Sequence, residues 1–249
     1  MSGGLRVVLC DDHERLSRLA ANMVADALRG KPDLLLCAAT GATPTRTYDL
    51  LAHRRHDEPE LFERLRVIKL DEWVGLAMDD PATCEVHLRR HLVEPLGIAA
   101  ERYIGFRGDA IAPEAECAHI ARVLEEQGPI DLCVLGLGVN GHLGLNEPAP
   151  ELQAGPHVAP LSRASQDHPM IRRARTPTVR HGLTLGMGDV LRSRQVLLLV
   201  SGAGKREPMR RLREARVSTA FPASLLWLHG DATCLCDREA ATLPDPDVA

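Results

Sequence analysis

The sequence predicts a single α/β domain built on an open, mostly parallel sheet with helices on both faces. Short runs rich in Val, Ile and Leu alternate with longer segments of helical periodicity, the order that parallel strands joined by crossover helices produce. These runs are apolar on successive residues, which is typical of strands covered on both faces. The length of 249 residues fits one large domain of this kind.

The individual elements follow from the same patterns. Apolar runs predict five buried strands, at residues 6–10, 34–38, 66–70, 131–135 and 195–200. Apolar side chains at helical spacing predict five helices, at residues 14–28, 44–52, 84–92, 113–126 and 205–215. The sequence has no repeat and no Ser/Gly-rich linker, so we expect one domain over residues 1–249, with 240–249 as a flexible tail.

Composition excludes several classes of function. The chain is 45% hydrophobic and 26% charged with a formal net charge of −4, so it lacks the strongly basic balance of a non-specific nucleic-acid binder. No apolar run reaches the roughly 18–20 residues that a membrane span needs. The seven cysteines include no Cys-x-x-Cys pair, which favours neither a disulfide framework nor a zinc site. We therefore expect a reduced, cytoplasmic protein that binds neither nucleic acid nor membrane.

The segment after the second predicted strand has the features of an anion site. Ligands of open α/β sheets bind beyond the carboxyl ends of the strands, and here the chain reads Thr-Gly-Ala-Thr-Pro at 40–44 before a helix. Gly41 lets backbone amides approach a ligand closely, and the hydroxyls of Thr40 and Thr43 lie beside the unpaired N–H groups of the helix start. The simplest ligand is a phosphate; the alternative is an ordinary helix cap at Thr43.

The segment after the third predicted strand carries two adjacent carboxylates. It reads Lys-Leu-Asp-Glu-Trp-Val-Gly at 69–75. Because they follow a buried strand at the ligand edge, Asp71 and Glu72 are candidates for a general base. The alternative interpretation gives Asp71 a helix-capping role and leaves Glu72 in solvent.

A glycine-rich segment follows the fourth predicted strand and contains a histidine. It reads Gly-Leu-Gly-Val-Asn-Gly-His-Leu-Gly-Leu-Asn-Glu-Pro at 136–148. The glycines satisfy Gly-x-Gly-x-x-Gly, but Gly144 and the prolines after it break the helix that a dinucleotide site requires, so we reject that interpretation. We expect a backbone turn that aims His142 and Glu147 at a small ligand, with the histidine as a proton carrier. No partner at metal-ligand spacing accompanies His142.

Together, the segments at 40–44, 70–74 and 136–148 resemble the amino-sugar-6-phosphate deaminase/isomerase family. The resemblance runs in order from the first predicted strand to about residue 236, nearly the whole chain. Residues 83–85, 140–146 and 217–229 are more similar to galactosamine-6-phosphate deaminase/isomerases than to the glucosamine enzymes. The resemblance implies a modified Rossmann-like fold and a phosphosugar substrate, with no cofactor and no metal.

The resemblance also implies a role for each matching residue. His142 matches the acid/base that opens the sugar ring, and Asp71 matches the base that removes the C2 proton. Glu147 matches the carboxylate that orients and charges the histidine. Residues 40–44 correspond to the phosphate cradle, and Lys205 to a phosphate-binding lysine. The implied reaction converts an amino-sugar 6-phosphate, most simply galactosamine 6-phosphate, to a ketose 6-phosphate (tagatose 6-phosphate) and ammonia.

Some positions depart from the glucosamine-type pattern. Asn140 stands where those members carry an aspartate; it can hydrogen-bond the histidine but brings no charge, so we expect Glu147 to carry more of the electrostatic support. Ala42 stands in the phosphate cradle where a serine is usual. The family's phosphate-binding arginine has no clear counterpart, and Arg172 and Arg173 are the candidates.

Three other functions stay open at this stage. The first is deamination of glucosamine 6-phosphate to fructose 6-phosphate. The second is a 6-phosphogluconolactonase, although similar lactonases lack the Leu-Asn-Glu-Pro run at 145–148. The third is a non-catalytic phosphosugar sensor, as in repressors that carry a helix-turn-helix before a similar domain. A homo-oligomer also stays open.

Overall fold

A parallel sheet runs through the centre of the molecule, whose computed structural model describes residues 4–175 and 179–242. The described residues form ten strands, which are in chain order β1 (Leu5–Cys10), β2 (Leu35–Ala38), β3 (Arg66–Lys69), β4 (Asp71–Trp73), β5 (Tyr103–Ile104), β6 (Leu132–Gly136), β7 (His157–Pro160), β8 (His181–Thr184), β9 (Gln195–Val200) and β10 (Ala232–Asp237). Seven make the main sheet, in the order β1-β10-β9-β6-β2-β3-β5, with every neighbouring pair parallel. The other three form a small antiparallel sheet, in the order β4-β8-β7.

Helices cover both faces of the main sheet. Over the described ranges they are α1 (His13–Gly30), α2 (Ala42–Asp57), α3 (Cys84–Leu88), α4 (Pro113–Gln127), α5 (Arg163–Gln166), α6 (Met187–Arg192), α7 (Arg206–Arg213) and α8 (Arg238–Ala241). A π-helical turn at Arg89–Val93 extends α3, and 3-10 turns include Ile171–Arg173, Ala203–Lys205 and Pro222–Leu228.

The strand β2 is apolar at every position because both of its faces are covered. Leu36 packs on one face of the sheet, in the same buried cluster as side chains of α1 and α2. Leu35 and Cys37 pack on the other face, in the cluster that holds side chains of α4, α6 and α7. Because each side chain of this strand meets a covered face, the hydrophobic effect selects apolar residues throughout. The predicted fold class is confirmed.

The five predicted strands are all present, and each end lies within one residue of its predicted position. The sequence reading missed β4, β5, β7, β8 and β10. Four of these have only two to four residues, too few for a periodicity to be recognised. Among the helices, α2 begins two residues before the predicted Pro44 and continues to Asp57.

Two predictions at element boundaries need correction. Asp71 does not cap a helix, because it is the first residue of β4 and pairs with Thr184 in the small sheet. The predicted tail at 240–249 begins inside α8, where Ala240 is fully buried. The rest of that predicted tail, residues 243–249, lies outside the described residues.

All seven cysteines are buried free thiols, as the odd count and the spacing predicted. They act as small apolar side chains in the core. Within residues 4–175 and 179–242, every helix is too short or too polar to cross a bilayer.

The sheet core makes a first stability prediction. Leu198 is fully buried on β9, so Leu198→Ala should lower the free energy of unfolding by about 2–5 kcal/mol through lost burial and the cavity left behind. The matched control is Leu9→Ala on the edge strand β1, where the side chain is 56% exposed and the change should stay within about 0.5 kcal/mol. Urea denaturation of both variants measures the difference, and equal losses would contradict the assigned core.

Candidate active site

A cleft of about 370 Å³ opens at the carboxyl edge of the main sheet. Segments that follow β2, β3, β6 and β9 all reach its wall. The residues predicted from separate parts of the sequence meet there: the segment 40–44, Asp71, His142 and Lys205. Its volume is within the range typical of small-molecule sites. The structure therefore brings together four of the predicted elements of the site in one cavity.

The 40–44 segment forms the start of α2 at this wall. Gly41 is the N-cap residue, with a φ of 110°, so the alternative in which Thr43 caps the helix is wrong. Over the described residues, no side chain caps α2, which leaves the first N–H groups of the helix available to an anion. The Thr45 hydroxyl donates to the Gly41 carbonyl at 2.7 Å and holds the turn from the helix side. His87 Nε2 lies 3.1 Å from the same hydroxyl.

Lys205 reaches the cleft from the segment after β9. Its Nζ donates to the carbonyl oxygen of Leu137 at 2.6 Å, in the segment that follows β6. Partial burial lowers the pKa of the lysine from its usual value. This contact ties the two strand exits together and fixes the ammonium at the cavity wall.

Asp71 is buried at the inner end of the cleft and is only 8% exposed. Burial raises the pKa of Asp71 to about 6, and the negative charge of Glu72 is the second cause of this rise. A hydrogen bond from Cys84 and the positive charges of His142 and Lys69 act in the opposite direction. A carboxylate with a pKa near 6 is ionised at neutral pH and is a stronger base than an ordinary aspartate, as general base catalysis requires.

Glu72 was the second candidate base, and the alternative that left it in solvent is wrong because the residue is fully buried. Its carboxylate accepts from Lys69 Nζ at 2.7 Å and from the backbone N–H groups of Trp73 at 2.9 Å, Cys84 at 2.9 Å and Glu85 at 2.8 Å. Four donors fill its acceptor sites, so Glu72 joins β4 to the start of α3. The one signal for this in the sequence is a lysine at the end of a buried strand, directly after Val67 and Ile68.

His142 depends on the glycines around it. A Cβ at Gly138 would lie 2.4 Å from the imidazole, so only glycine lets the ring pack against this backbone. Gly141 has a φ of 90°, and a Cβ there would lie 2.1 Å from the Phe221 ring. From 137 to 156 the chain forms no helix, in agreement with the rejected dinucleotide interpretation.

Glu147 lies behind His142, with Oε2 at 3.5 Å from Nδ1 of the ring. Its Oε1 accepts from the Ser162 hydroxyl at 2.9 Å and from the Ser165 hydroxyl, and its Oε2 accepts from Asn140 Nδ2 at 2.7 Å. Burial alone would raise the pKa of Glu147, but His142, Ser165 and Asn140 outweigh it and lower that pKa to about 2. The glutamate is thus a permanent negative charge beside the imidazole.

Asn140 contacts the backbone of the histidine and not its ring. Its Oδ1 accepts from the His142 N–H at 3.2 Å while its amide group donates to Glu147. Asn140 therefore stabilises the turn and orients Glu147, and the Glu147 carboxylate is the group that lies beside the imidazole ring.

Arg172 and Arg173, the predicted arginine candidates, are both exposed on the 3-10 turn at Ile171–Arg173, and neither lines the cleft.

His168, a residue that the sequence reading missed, lines the cleft. Its ring lies 5.9 Å from the Trp73 ring, and its Nδ1 accepts from the Met170 N–H at 3.3 Å. Burial lowers the pKa of His168, so the neutral ring keeps Nε2–H as a donor. No local pattern marks this loop position in the sequence.

The fold and the cleft define a small-molecule site with a buried carboxylate and a histidine–glutamate pair at the carboxyl edge of a parallel sheet. A family model described as glucosamine-6-phosphate isomerases/6-phosphogluconolactonase matches residues 12–235. The chain belongs to this family.

Individual relatives agree with this assignment. The chain is 44% identical over 225 residues to the Escherichia coli (strain K12) protein named "Putative deaminase AgaI", with 90% of this chain and 89% of the relative covered. It is 36% identical to glucosamine-6-phosphate deaminase 1 of Bacillus subtilis (strain 168), over 96% of this chain and 99% of the relative. The solved structure of a monomeric glucosamine-6-phosphate deaminase superposes with a TM-score of 0.90 at 36% identity, covering 96% of this chain and all of the other.

More distant relatives share the fold alone. The 6-phosphogluconolactonase from Trypanosoma cruzi superposes with a TM-score of 0.78 at 18% identity, over 97% of each chain.

The buried base makes a prediction about stability and pH. The pKa of Asp71 is about 6 in the native state, above its ordinary value of 3.8. For an acid whose native pKa is raised, stability is present at low pH and is lost as the pH rises from about 4 through about 6. Asp71→Asn removes the titrating group, so the variant does not lose stability in this way. The unfolding free energy of the variant minus that of wild type should therefore be about 1 kcal/mol larger at pH 8 than at pH 5.

Urea denaturation at the two pH values measures this gain. The control is Asp57→Asn at the exposed end of α2, which should give the same small difference from wild type at both. An Asp71→Asn gain that does not change with pH would contradict the raised pKa.

Proposed function

We propose that this protein is a deaminating isomerase of amino-sugar 6-phosphates, and that its substrate is galactosamine 6-phosphate, which it converts with water to tagatose 6-phosphate and ammonia. The supporting observation is that Asp71 and His142 line one cleft with an uncapped helix N-terminus and Lys205. These groups provide, in a single cavity, a base, a proton carrier and an anion site.

Phosphate binding anchors the substrate at the start of α2. The first N–H groups of the helix donate to phosphate oxygens, and the helix dipole favours the negative charge. Lys205 supplies a full positive charge at the same wall. Anchored at its phosphate, the sugar has its other end free to reach the carboxylate and the imidazole.

Ring opening is assigned to His142. The imidazole transfers a proton to the ring oxygen as the C1–O5 bond breaks, and it takes up the proton of the C1 hydroxyl as the aldehyde forms. Glu147, ionised at 3.5 Å from Nδ1, stabilises the protonated ring while it carries the proton. The serines that donate to Glu147 keep its charge in place.

Deamination then proceeds through the base. Asp71 removes the C2 proton, and the electron pair of the C2–H bond forms the C1–C2 double bond of an enolamine. The carbonyl π pair moves to the C1 oxygen, which takes a proton from the imidazolium of His142. A proton returned to C1 gives a C2 iminium ion; water adds to C2, and the nitrogen leaves as ammonia. The raised pKa of Asp71 suits this step because it brings the basicity of the carboxylate closer to that of the weakly acidic C–H group.

The choice of the galacto substrate is supported by similarity. The chain is 44% identical to the deaminase AgaI and 36% identical to a glucosamine-6-phosphate deaminase. The residues at 83–85 and at 140–146 also resemble the galactosamine branch.

The direct test supplies purified protein with galactosamine 6-phosphate, glucosamine 6-phosphate or 6-phosphogluconolactone. Ammonia and ketose 6-phosphate should form fastest from galactosamine 6-phosphate, and Asp71→Asn should lower kcat by about 10²–10⁴-fold because the base is lost. Calorimetry should show substrate affinity of that variant within a few-fold of wild type. Preferred hydrolysis of the lactone without ammonia release would overturn the assignment, and faster turnover of glucosamine 6-phosphate would overturn only the galacto choice.

The phosphate site has its own test. Lys205→Ala should raise KM by about 10- to 100-fold and change kcat much less, since it removes a charged donor to the phosphate. The control is Lys31→Ala, which removes the same charge before β2, at the amino edge of the sheet, where Lys31 contacts Asp131. Steady-state kinetics on both variants checks this, and an unchanged KM for Lys205→Ala would exclude the lysine from the phosphate site.

A further inference from the structure

Cys84 lies between the proposed base and the proposed phosphate cradle. It is the first residue of α3 and is fully buried. Its Sγ is 3.6 Å from Asp71 Oδ1 and 3.4 Å from Thr40 Oγ1. A carboxylate can only accept, so the thiol S–H donates to Asp71. The thiol has a single hydrogen, and Thr40 is therefore the donor in the second contact.

The thiol remains protonated in this position. Burial, together with the negative charges of Glu72 and Asp71, raises the pKa of Cys84 well above its ordinary value. The side chain is thus a fixed S–H donor over the whole pH range in which the enzyme would work, and it is not a nucleophile.

A buried ionic network holds Cys84 against the strand that carries Asp71. The Glu72 carboxylate accepts from the backbone N–H groups of Cys84 and Glu85 at the start of α3. Lys69 Nζ bridges the side chains of Glu72 and Glu85 at 2.7 and 2.8 Å, and the hydroxyl of Tyr103 donates to Glu85 at 2.9 Å. Two neighbouring residues of β4 therefore contact the same end of α3. The Glu72 side chain accepts from the backbone N–H groups of the helix, and the Asp71 side chain accepts from the Cys84 thiol.

The other buried cysteines do not share this arrangement. Over residues 4–175 and 179–242, Cys84 is the cysteine whose sulfur lies within hydrogen-bond distance of a carboxylate. Cys234, for example, is equally buried on β10, and its pKa is raised by burial and by the neighbouring thiols of Cys236 and Cys10. A thiol that only fills space would not need a position between two polar groups of the cleft.

We infer that Cys84 is a positioning residue for the base: its thiol orients the Asp71 carboxylate toward the cleft and links it to Thr40 of the phosphate cradle. This inference rests on the proposed function. By donating to Oδ1, the thiol leaves Oδ2 as the oxygen that can take the substrate proton. It also stabilises the ionised carboxylate, the form in which a base acts.

A pH profile separates this role from simple packing. The titratable groups that face Asp71 are Lys69 from β3, Glu72 from β4, Cys84 from α3 and His142 from the segment after β6, with Cys37 of β2 and Tyr48 of α2 behind them. Cys84 is the neutral group among these that donates to the Asp71 carboxylate, so Cys84→Ala removes a hydrogen bond without changing the surrounding charge. The carboxylate loses stabilisation, and the pKa of Asp71 should rise by about half a pH unit.

The experiment compares Cys84→Ala, Cys84→Ser and the control Cys234→Ala. The acidic limb of kcat/KM for ammonia release should move up by about half a pH unit in Cys84→Ala, while Cys84→Ser, which keeps an O–H donor, should move less than half as far. Cys234→Ala removes the same sulfur from the core and should leave the limb in place. Thermal unfolding of each variant separates lost stability from the shift of the limb.

The carboxyl titration of Asp71, followed by carbon-13 NMR and assigned with Asp71→Asn, gives the same comparison without turnover. A midpoint that is identical in wild type and Cys84→Ala would overturn the inference, even if the wild type is active. A shifted midpoint in a protein that releases no ammonia from either amino-sugar phosphate would overturn the proposed function and leave the thiol–carboxylate interaction supported.

Discussion

The arrangement of this site follows from placing an ionisable carboxylate, Asp71, in a buried position at the end of a parallel sheet. An isolated carboxylate is expensive to bury, and Glu72 beside it adds a second negative charge. Lys69 lies between Glu72 and Glu85, all three buried or nearly so, and supplies the positive charge that the interior requires. Without Lys69, the buried carboxylates would repel each other and take up protons, and Asp71 would lose the ionised form that the proposed base requires.

The pKa values of Asp71 and Glu147 are shifted in opposite directions because the two side chains have different surroundings. Asp71 receives one weak thiol donor and its pKa is raised, whereas Glu147 receives two hydroxyls and an amide and its pKa is lowered to about 2. A raised pKa suits a group that must take a proton, and a lowered one suits a group that must stay charged. The opposite shifts thus follow from burial and the charge of Glu72 at Asp71, and from the hydrogen-bond donors and the neighbouring His142 at Glu147.

The sequence predicted five of the seven strands of the main sheet, and the site formed where several of them end, because long apolar runs and glycine-rich turns leave local patterns. It could not predict the small sheet of β4, β7 and β8, whose strands are short and in which β4 pairs with β8 across about 110 residues. It left open whether Glu72 is a base or lies in solvent, because the burial of this residue depends on Lys69 and on the start of α3, which tertiary packing alone brings together. His168 was missed for the same reason: its place in the cleft depends on a loop that carries no periodicity.

The energetic cost of a buried base also bears on the class of reaction. Hydrolysis of a lactone requires attack by water on an activated carbonyl, for which an imidazole beside a carboxylate is sufficient. Removal of a proton from carbon requires a stronger base, held close to the C–H bond and away from water. A carboxylate that is 8% exposed with a pKa near 6 meets that requirement, at a cost in stability that a lactone hydrolase would not need to bear. The burial of Asp71 therefore favours isomerisation with deamination over lactone hydrolysis.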